Sequence, residues 1–439
     1  MSSGKFVSLL IASGMALSLH AQAGGLLDNY QLAHENDPQL RAAEATRNAQ
    51  LEVRPQSVAA LLPNIAITAN TDHISTETKS NFQFNPSRDE SFNSHGYSLT
   101  LTQPVYRHDR IVALRQADST VAQAEADYAA AEQDLMLRLS VAYFDLLAAQ
   151  DNLEFANAEK EATARQLEQA KQRFEVGLIA ITDVYEAQAQ FDLTVAQAIS
   201  AENVLSNARE ALQEITANYE QQPQSLQADI PLITPEPADI EAWVALATKQ
   251  NLVLSSAQYA SDVASEEVNR LRAGHYPTLD IVASRSTSNS NSGFGSESDT
   301  DRISLQLNVP IYSGGSVNSQ TRQASYNAEA ARQALIQTRR SVLRQTRDAY
   351  QGVIAELSRV KALSQAVKSS EKAMEATQAG FEVGTRTIVD VLLSQRELFR
   401  AKRDYSRSRY DYILNTLRLK QAAGSLSKSD IESVNQLMK

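Results

Sequence analysis

Two stretches of this chain spell nearly the same turn. Arg173-Phe174-Glu175-Val176-Gly177 recurs as Gly380-Phe381-Glu382-Val383-Gly384. At nearly the same offset, Thr182-Asp183-Val184 is answered by Val389-Asp390-Val391, Gln103-Pro104-Val105-Tyr106 by Val309-Pro310-Ile311-Tyr312, and Leu61-Leu62-Pro63 by His275-Tyr276-Pro277. Four matches in one order mark an internal duplication. The halves run from 24 to 220 and from 240 to 424. Between them, 221–239 carries Pro223, Pro231, Pro235 and Pro237 and reads as an irregular connector. Residues 425–439 form a C-terminal segment to which the sequence assigns no role.

Each half repeats one plan: a helix (38–60, then 252–273), a pair of strands, and two long helices joined at the F-E-V-G turn. Tyr97, Leu99 and Leu101 alternate with Ser98, Thr100 and Thr102, and Ile303, Leu305 and Leu307 alternate with Ser304, Gln306 and Asn308. Ile65 and Ile67 oppose Ala66 and Thr68 in the same way. This is the period of a strand with one apolar and one polar face. Tilted strands of about 10 to 12 residues are long enough to cross the hydrocarbon of a bilayer. The Ser, Asn and charge-rich stretches 75–94 and 286–301 read as long outer loops.

The helical stretches carry a different constraint. From 107 to 172 there is no proline and no glycine. Small or apolar residues recur there at alternating steps of three and four, from Leu114, Ala117, Val121 and Ala124 to Leu146, Ala149, Leu153 and Ala156. This is a coiled-coil seam, rich enough in alanine for close backbone approach. At about 1.5 Å per residue such a helix is on the order of 100 Å long, too long for a globular core. Residues 318–379 repeat the pattern, and 182–218 and 387–423 supply the returning helices.

The N-terminus points to export. Lys5 precedes an apolar run from Phe6 to Leu19, and Ala21 and Ala23 fit cleavage before Gly24, so 1–23 reads as a signal peptide. The chain has no cysteine, which removes disulfides, thiol catalysis and thiolate metal sites. A formal charge of -11 argues against a nucleic-acid partner. No other apolar run is long enough to span a bilayer as a helix, so any crossing must be a β-barrel. Four strands cannot close a barrel, because about eight is the minimum. The chain must therefore pair with its own copies, giving eight strands as a dimer or twelve as a trimer.

These features resemble the TolC family of outer-membrane efflux and secretion ducts. The likeness covers nearly the whole mature chain. It is most specific in Arg165-Gln166-Leu167, in Arg173 through Val184 and in Val383-Gly384-Thr385-Arg386-Thr387-Ile388-Val389-Asp390-Val391-Leu392. Val141-Ala142-Tyr143-Phe144 and Val309 through Gly315 support it. The resemblance implies an α+β membrane protein: a homotrimer with a twelve-stranded barrel, four strands per chain, a twelve-helix periplasmic tunnel and a mixed equatorial region. It also implies a passive duct without cofactor. Its partners would be a periplasmic adaptor, an inner-membrane transporter of the RND, ABC or MFS type, and outer-membrane lipid.

The resemblance further implies site residues. Asp390 matches the outer member of an aspartate ring at the tunnel's inner end, while Leu393 stands where the family has a second aspartate. Gln166, Thr182, Asp183 and Arg386 match positions of polar links between helices. Gln378 and Phe381 occupy the positions of a glutamate and a tyrosine link partner, so this gate is expected to hold fewer links. The adaptor is expected at Arg173, Phe174, Val176, Gly177, Phe381, Val383 and Gly384. Independently of the resemblance, Thr387 and Asp390 have the spacing of a capping box, so Asp390 has a purely local reading too.

Two other classes compete. For an enzyme, His34, His73, His95, His108 and His275 are scattered, no pair has metal-ligand spacing, and Ser425 with Lys428 is a tetrapeptide match without companions. A soluble periplasmic coiled-coil adaptor shares the leader and the long helices, but paired alternating strands in both halves argue against it. Fractionation separates the two. A barrel requires detergent for extraction, whereas release of this protein by salt alone would support the adaptor.

Overall fold

Capping residues and prolines punctuate this chain, and the strands and long helices fall between them. The computed structural model describes residues 24–79, 88–218, 223–291 and 295–439. The expected signal peptide lies outside the described residues, as do parts of both expected outer loops and of the connector. Helix α1 (Leu26–Asn36) ends on Asp37, whose carboxylate accepts the Leu40 amide at 2.8 Å and starts α2 (Pro38–Leu51). The single helix expected over 38–60 is broken. Pro55 lacks an N–H and crowds the Leu51 carbonyl, so a separate α3 (Val53–Ala59) follows. Strands β1 (Asn64–Thr78) and β2 (Arg88–Tyr106) lead into α4 (His108–Glu175), which returns as α5 (Ile181–Thr216).

The series then runs again. Helix α6 (Ile240–Gln250) ends on Asn251, whose side chain accepts the Leu254 amide at 2.9 Å and starts α7 (Leu252–Arg272). A 3-10 turn (Ala273–His275), β3 (Thr278–Ser290) and β4 (Ser296–Asn308) follow, then α8 (Ser316–Glu382) and α9 (Ile388–Ala422). A short α10 (Lys428–Asn435) comes last.

The four strands form one antiparallel sheet in the order β1-β2-β3-β4. The register aligns Ile67 with Leu99, and Ala283 with Ile303, so the apolar positions of all four strands share one face. That face is bare in the single chain: Ile67 is 75% and Ile303 is 84% exposed. Two long loops were expected above the apolar rows. Instead β1 runs to Thr78, β2 begins at Arg88, and β3 and β4 extend to Ser290 and from Ser296. Serine, threonine and asparagine end the apolar alternation there, but the backbone ladder does not need it and continues. At the sheet's base, Pro104 cannot donate to the ladder, and the β2–β3 register shifts between Pro104 and Tyr106. Arg107 then grips Asp280 of β3 with two hydrogen bonds, Nε at 3.1 Å and Nη2 at 2.7 Å, where the strand turns into α4.

Below the sheet, α2 and α3 pack on one flank of α4, α7 on its other flank, and α8 against α7. Farther down, the lateral order is α5, α4, α9, α8. Each level is therefore four helices wide and ends on α8 at one side. The seam is tight where alanines face each other, as at Ala156, Ala198 and Ala201. At about 1.5 Å per residue, the 68 residues of α4 span roughly 100 Å.

The main core forms a collar midway along α4. Leu135, Leu139, Tyr143, Phe144 and Leu147 meet Tyr410, Leu414 and Leu417 of α9, with Leu26, Trp243 and Ile431 sealing the outside. The connector and the C-terminal segment are tied together there: Lys439 donates its amide to the Ser225 carbonyl at 2.8 Å, and Gln227 to that of Leu437 at 3.0 Å. The buried Tyr143 hydroxyl donates to the Gln224 carbonyl at 3.0 Å. The segment 425–439 is thus part of the collar.

Asp37 is buried and pairs with Arg138 at 2.9 Å. Burial by itself would raise its pKa, but the Arg138 guanidinium and the Leu40 amide outweigh burial and hold the carboxyl below its ordinary value. The stabilisation is therefore present above the unfolded-state value, about 3.9, and is lost as pH falls through the lower folded value. Asp37→Ala is expected to destabilise the collar by about 1 to 2 kcal/mol, because it removes the cap of α2 and one of the two carboxylates on Arg138, which keeps Asp134 at 2.7 Å. Heat unfolding followed by helical circular dichroism checks this, and the deficit should shrink on acidification below about pH 4.

Candidate gate at the helix tips

The far ends of the long helices close with the same turn twice. In the first, Leu178 donates its amide to the Arg173 carbonyl at 2.9 Å and Gly177 to that of Phe174 at 2.8 Å. In the second, Thr385 donates to Gly380 at 2.8 Å and Gly384 to Phe381 at 3.2 Å. Gly177 and Gly384 sit at φ 74° and 80°, the left-handed conformation that ends a helix in this bonding pattern. A Cβ at either glycine would meet nothing within 4 Å, so backbone conformation selects glycine there, not crowding. The turns present apolar side chains to solvent: Val176 is 69% exposed and Val383 76%. Phe174 is exposed as well.

Phe381 behaves differently from its repeat mate. It was expected on the docking surface and at a weakened link, but it is 4% exposed. It packs with Leu167, Ala170, Val184, Ala187, Ile388, Val391 and Leu392 in a core shared by all four helix ends. Arg173, its neighbour from the other hairpin, lies over its ring with Cζ 4.3 Å from the centroid, a cation–π contact. Phe381 therefore offers no surface to a partner. It joins the two hairpins of one protomer by packing.

The polar candidates are arranged around this core. Gln166 donates Nε2–H to Gln378 Oε1 at 3.3 Å, joining α4 to α8. Thr182 is exposed and Asp183 half-buried at the start of α5. Among the described residues, no ion pair joins Arg386 to Asp183 within the chain. The Arg386 side chain lies against Gly380 instead, where a Cβ would stand 2.8 Å from its Cγ. Asp390 completes a capping box at the start of α9. Its amide donates to Thr387 Oγ1 at 3.2 Å, and its Oδ2 accepts the Thr387 amide at 2.9 Å and hydroxyl at 3.0 Å. The Thr387 amide and hydroxyl, with Arg386 nearby, hold the Asp390 carboxyl below the usual carboxylate range. The local reading of Asp390 is thus realised in the chain, through Oδ2 alone. Leu393 is 45% exposed beside it.

Sequence reading missed the polar ties higher on the α4–α9 seam. Glu159, 1% exposed, pairs with Arg403 at 2.8 Å, and Asp151 accepts hydrogen bonds from Ser406 and, at 2.8 Å, from Tyr410. Charges spaced along a long helix read as a solvated face, and no local pattern marks these as facing inward.

A tip-closed helical bundle under a four-stranded sheet with a bare apolar face has known counterparts. The outer membrane efflux protein family model matches residues 29–218 and 243–425, one block in each repeat. The chain belongs to that family. It is 40% identical over 441 residues to outer membrane protein TolC of Vibrio cholerae, covering 99% of both chains. It is 32% identical over 444 residues to the alkaline protease secretion protein AprF of Pseudomonas aeruginosa, covering 98% of this chain and 89% of that one. The fold is also that of the Campylobacter jejuni CmeC outer membrane channel, with a TM-score of 0.79 at 17% identity, covering 95% and 91% of the two chains. The sheet is this chain's share of an outer-membrane β-barrel, and the helices continue it into the periplasm as a tunnel. The protein is an outer-membrane channel of efflux and type I secretion, and the soluble adaptor reading falls away.

Thr387→Val keeps the branched shape but removes both hydroxyl contacts to Asp390. Loss of such a cap costs about 1 kcal/mol, so amides at the start of α9 should exchange roughly fivefold faster with deuterium. Unchanged exchange there would show that the cap does not hold this turn.

Proposed function

We propose that three copies of the chain close into a passive duct that is gated at the helix tips, and that the protein itself catalyses no reaction. The observation that carries the reading is the pair of equivalent tips, each ending a helix of about 100 Å on an exposed valine, with one capped carboxylate per chain beside them. Closure follows from the free edges. β1 and β4 each pair on one side only, and in lipid those backbone groups must find strands of other copies. Three chains of four strands give a twelve-stranded barrel, and each level of the bundle ends on α8 at the side that would meet the next copy.

Around the axis, three copies of Asp390 form a ring of carboxylates. Capping keeps them ionised, and the ring supplies a negative field that favours cations. Among the described residues Arg386 forms no ion pair within its own protomer, and it reaches Asp183 or Thr182 of the neighbouring copy through a charge-assisted hydrogen bond. The exposed tip residues Phe174, Val176 and Val383 are the docking surface for a periplasmic adaptor, with Arg173, Gly177 and Gly384 shaping it. The adaptor in turn recruits an inner-membrane transporter of the RND, ABC or MFS type, which selects the cargo. AprF, by its name a protease secretion protein, makes a secreted protein one cargo class beside small molecules.

Two measurements in planar bilayers check this. Arg386→Ser should raise single-channel conductance, and an unchanged value would reduce Arg386 to a solvated charge. A trivalent cation should block the wild-type channel, more weakly than in a relative with two aspartates per chain, and Asp390→Ala should remove the block. Block of equal strength in Asp390→Ala would take the ring elsewhere.

A further inference from the structure

The interior of the tip contains a polar fault. Gln395 of α9 is 2% exposed, and neither its Nε2 nor its Oε1 has a hydrogen-bond partner. Gln166 Oε1 on α4 is buried and unpaired as well, although Gln166 Nε2 donates to Gln378. The two residues belong to neighbouring helices, and the helix register sets them at one level. Helices α4 and α9 run antiparallel, and the contacts Asp151–Tyr410 and Glu159–Arg403 fix their register. Continued toward the tip, that register sets Gln166 level with Gln395. Gln166 lies on the same stripe of α4 as Glu159 and Ala170, and Gln395 on the same stripe of α9 as Ser406 and Leu392.

The unpaired groups are complementary, two acceptors and a donor on a pair of primary amides. Once Gln166 lets go of Gln378, the two amides can exchange both hydrogen bonds, each donating Nε2–H to the other's Oε1. All the unpaired groups would then be satisfied. The change takes the donor away from Gln378 Oε1, but Gln378 is only half-buried, so water can replace it, and its Nε2 still donates to Glu382 Oε1 at 3.4 Å. The arrangement seen here keeps one amide link and leaves three buried polar groups unpaired, which is expensive in a low-dielectric seam. What favours it is the packing of Phe381, Leu167 and Leu392 in the tip core.

We propose that Gln395 is a gating residue: α9 has a second seat on α4 in which Gln395 and Gln166 pair, and that seat is the open tip. The inference rests on the reading of the tips as the gate. Hydrogen bonding favours the open seat and apolar packing the linked one, so two states lie close in free energy and a docked partner can shift between them. Above this point the buried Glu159–Arg403 pair holds the seam and marks where the movement ends.

Gln395→Met tests this, since methionine matches glutamine in length and removes both unpaired groups. Heat unfolding of the full protein in detergent should shift to higher temperature, and the occupancy of the high-conductance state in planar bilayers should fall about tenfold. A lower unfolding temperature would mean that Gln395 is paired in the linked state, and would overturn the proposal. So would a higher unfolding temperature with unaltered gating in the same bilayers where Arg386→Ser raises conductance. If neither variant changes conductance, the tip is not the gate, and the proposal falls with that reading. A second variant reads the geometry directly. The chain has no cysteine of its own, so Gln166→Cys with Gln395→Cys should oxidise to a disulfide that holds the channel in its high-conductance state until reduced. A disulfide that holds the low-conductance state, or none at all, contradicts the second seat.

Discussion

An extended backbone in lipid has nowhere to send its hydrogen bonds except to another strand. This chain brings only four strands, so β1 and β4 each keep a row of unmatched amides and carbonyls along one edge. Much of the rest of the molecule follows from that shortage. The apolar face of the sheet stays bare because its neighbour is lipid. Each level of helices likewise ends on α8 at one side, so the ring that completes the sheet also completes the tunnel. The collar, with α10 and the connector laced into it, fixes where barrel geometry hands over to helix geometry.

At the opposite end the physics is inverted. The tips face no lipid, and around their small apolar core the individual ties are weak. A left-handed glycine ends each hairpin, an arginine covers Phe381, a capping box holds Asp390, and a single amide link joins Gln166 to Gln378. Surface ion pairs contribute only about 0 to 1 kcal/mol each. Contacts of this size exchange at small cost, which those of a well-packed core like the collar do not.

The long-range plan was legible in the sequence because it is periodic. Alternating apolar residues in Ile303 to Leu307, the glycine-free run of α4 and the doubled F-E-V-G turn each report a repeating geometry. What escaped was set by partners distant in sequence. Pro55 splits the first helix, which the run of helix formers around it disguised. Strands β1 and β2 continue past their apolar rows, since ladder hydrogen bonds leave no trace in composition. Phe381 read as an exposed turn residue because it shares the Phe-Glu-Val-Gly turn of Phe174. Only the fold reveals that one faces solvent and the other sits under Arg173. Glu159 and Gln395 carry no local sign that they point inward.

The central claim is that the chain is one third of a closed barrel and tunnel. Native mass spectrometry of the detergent-extracted protein tests it most directly. The account predicts a particle of three chains that survives dilution and gives way to single chains only on denaturation. A stable monomer, or a dimer closing eight strands, would contradict it.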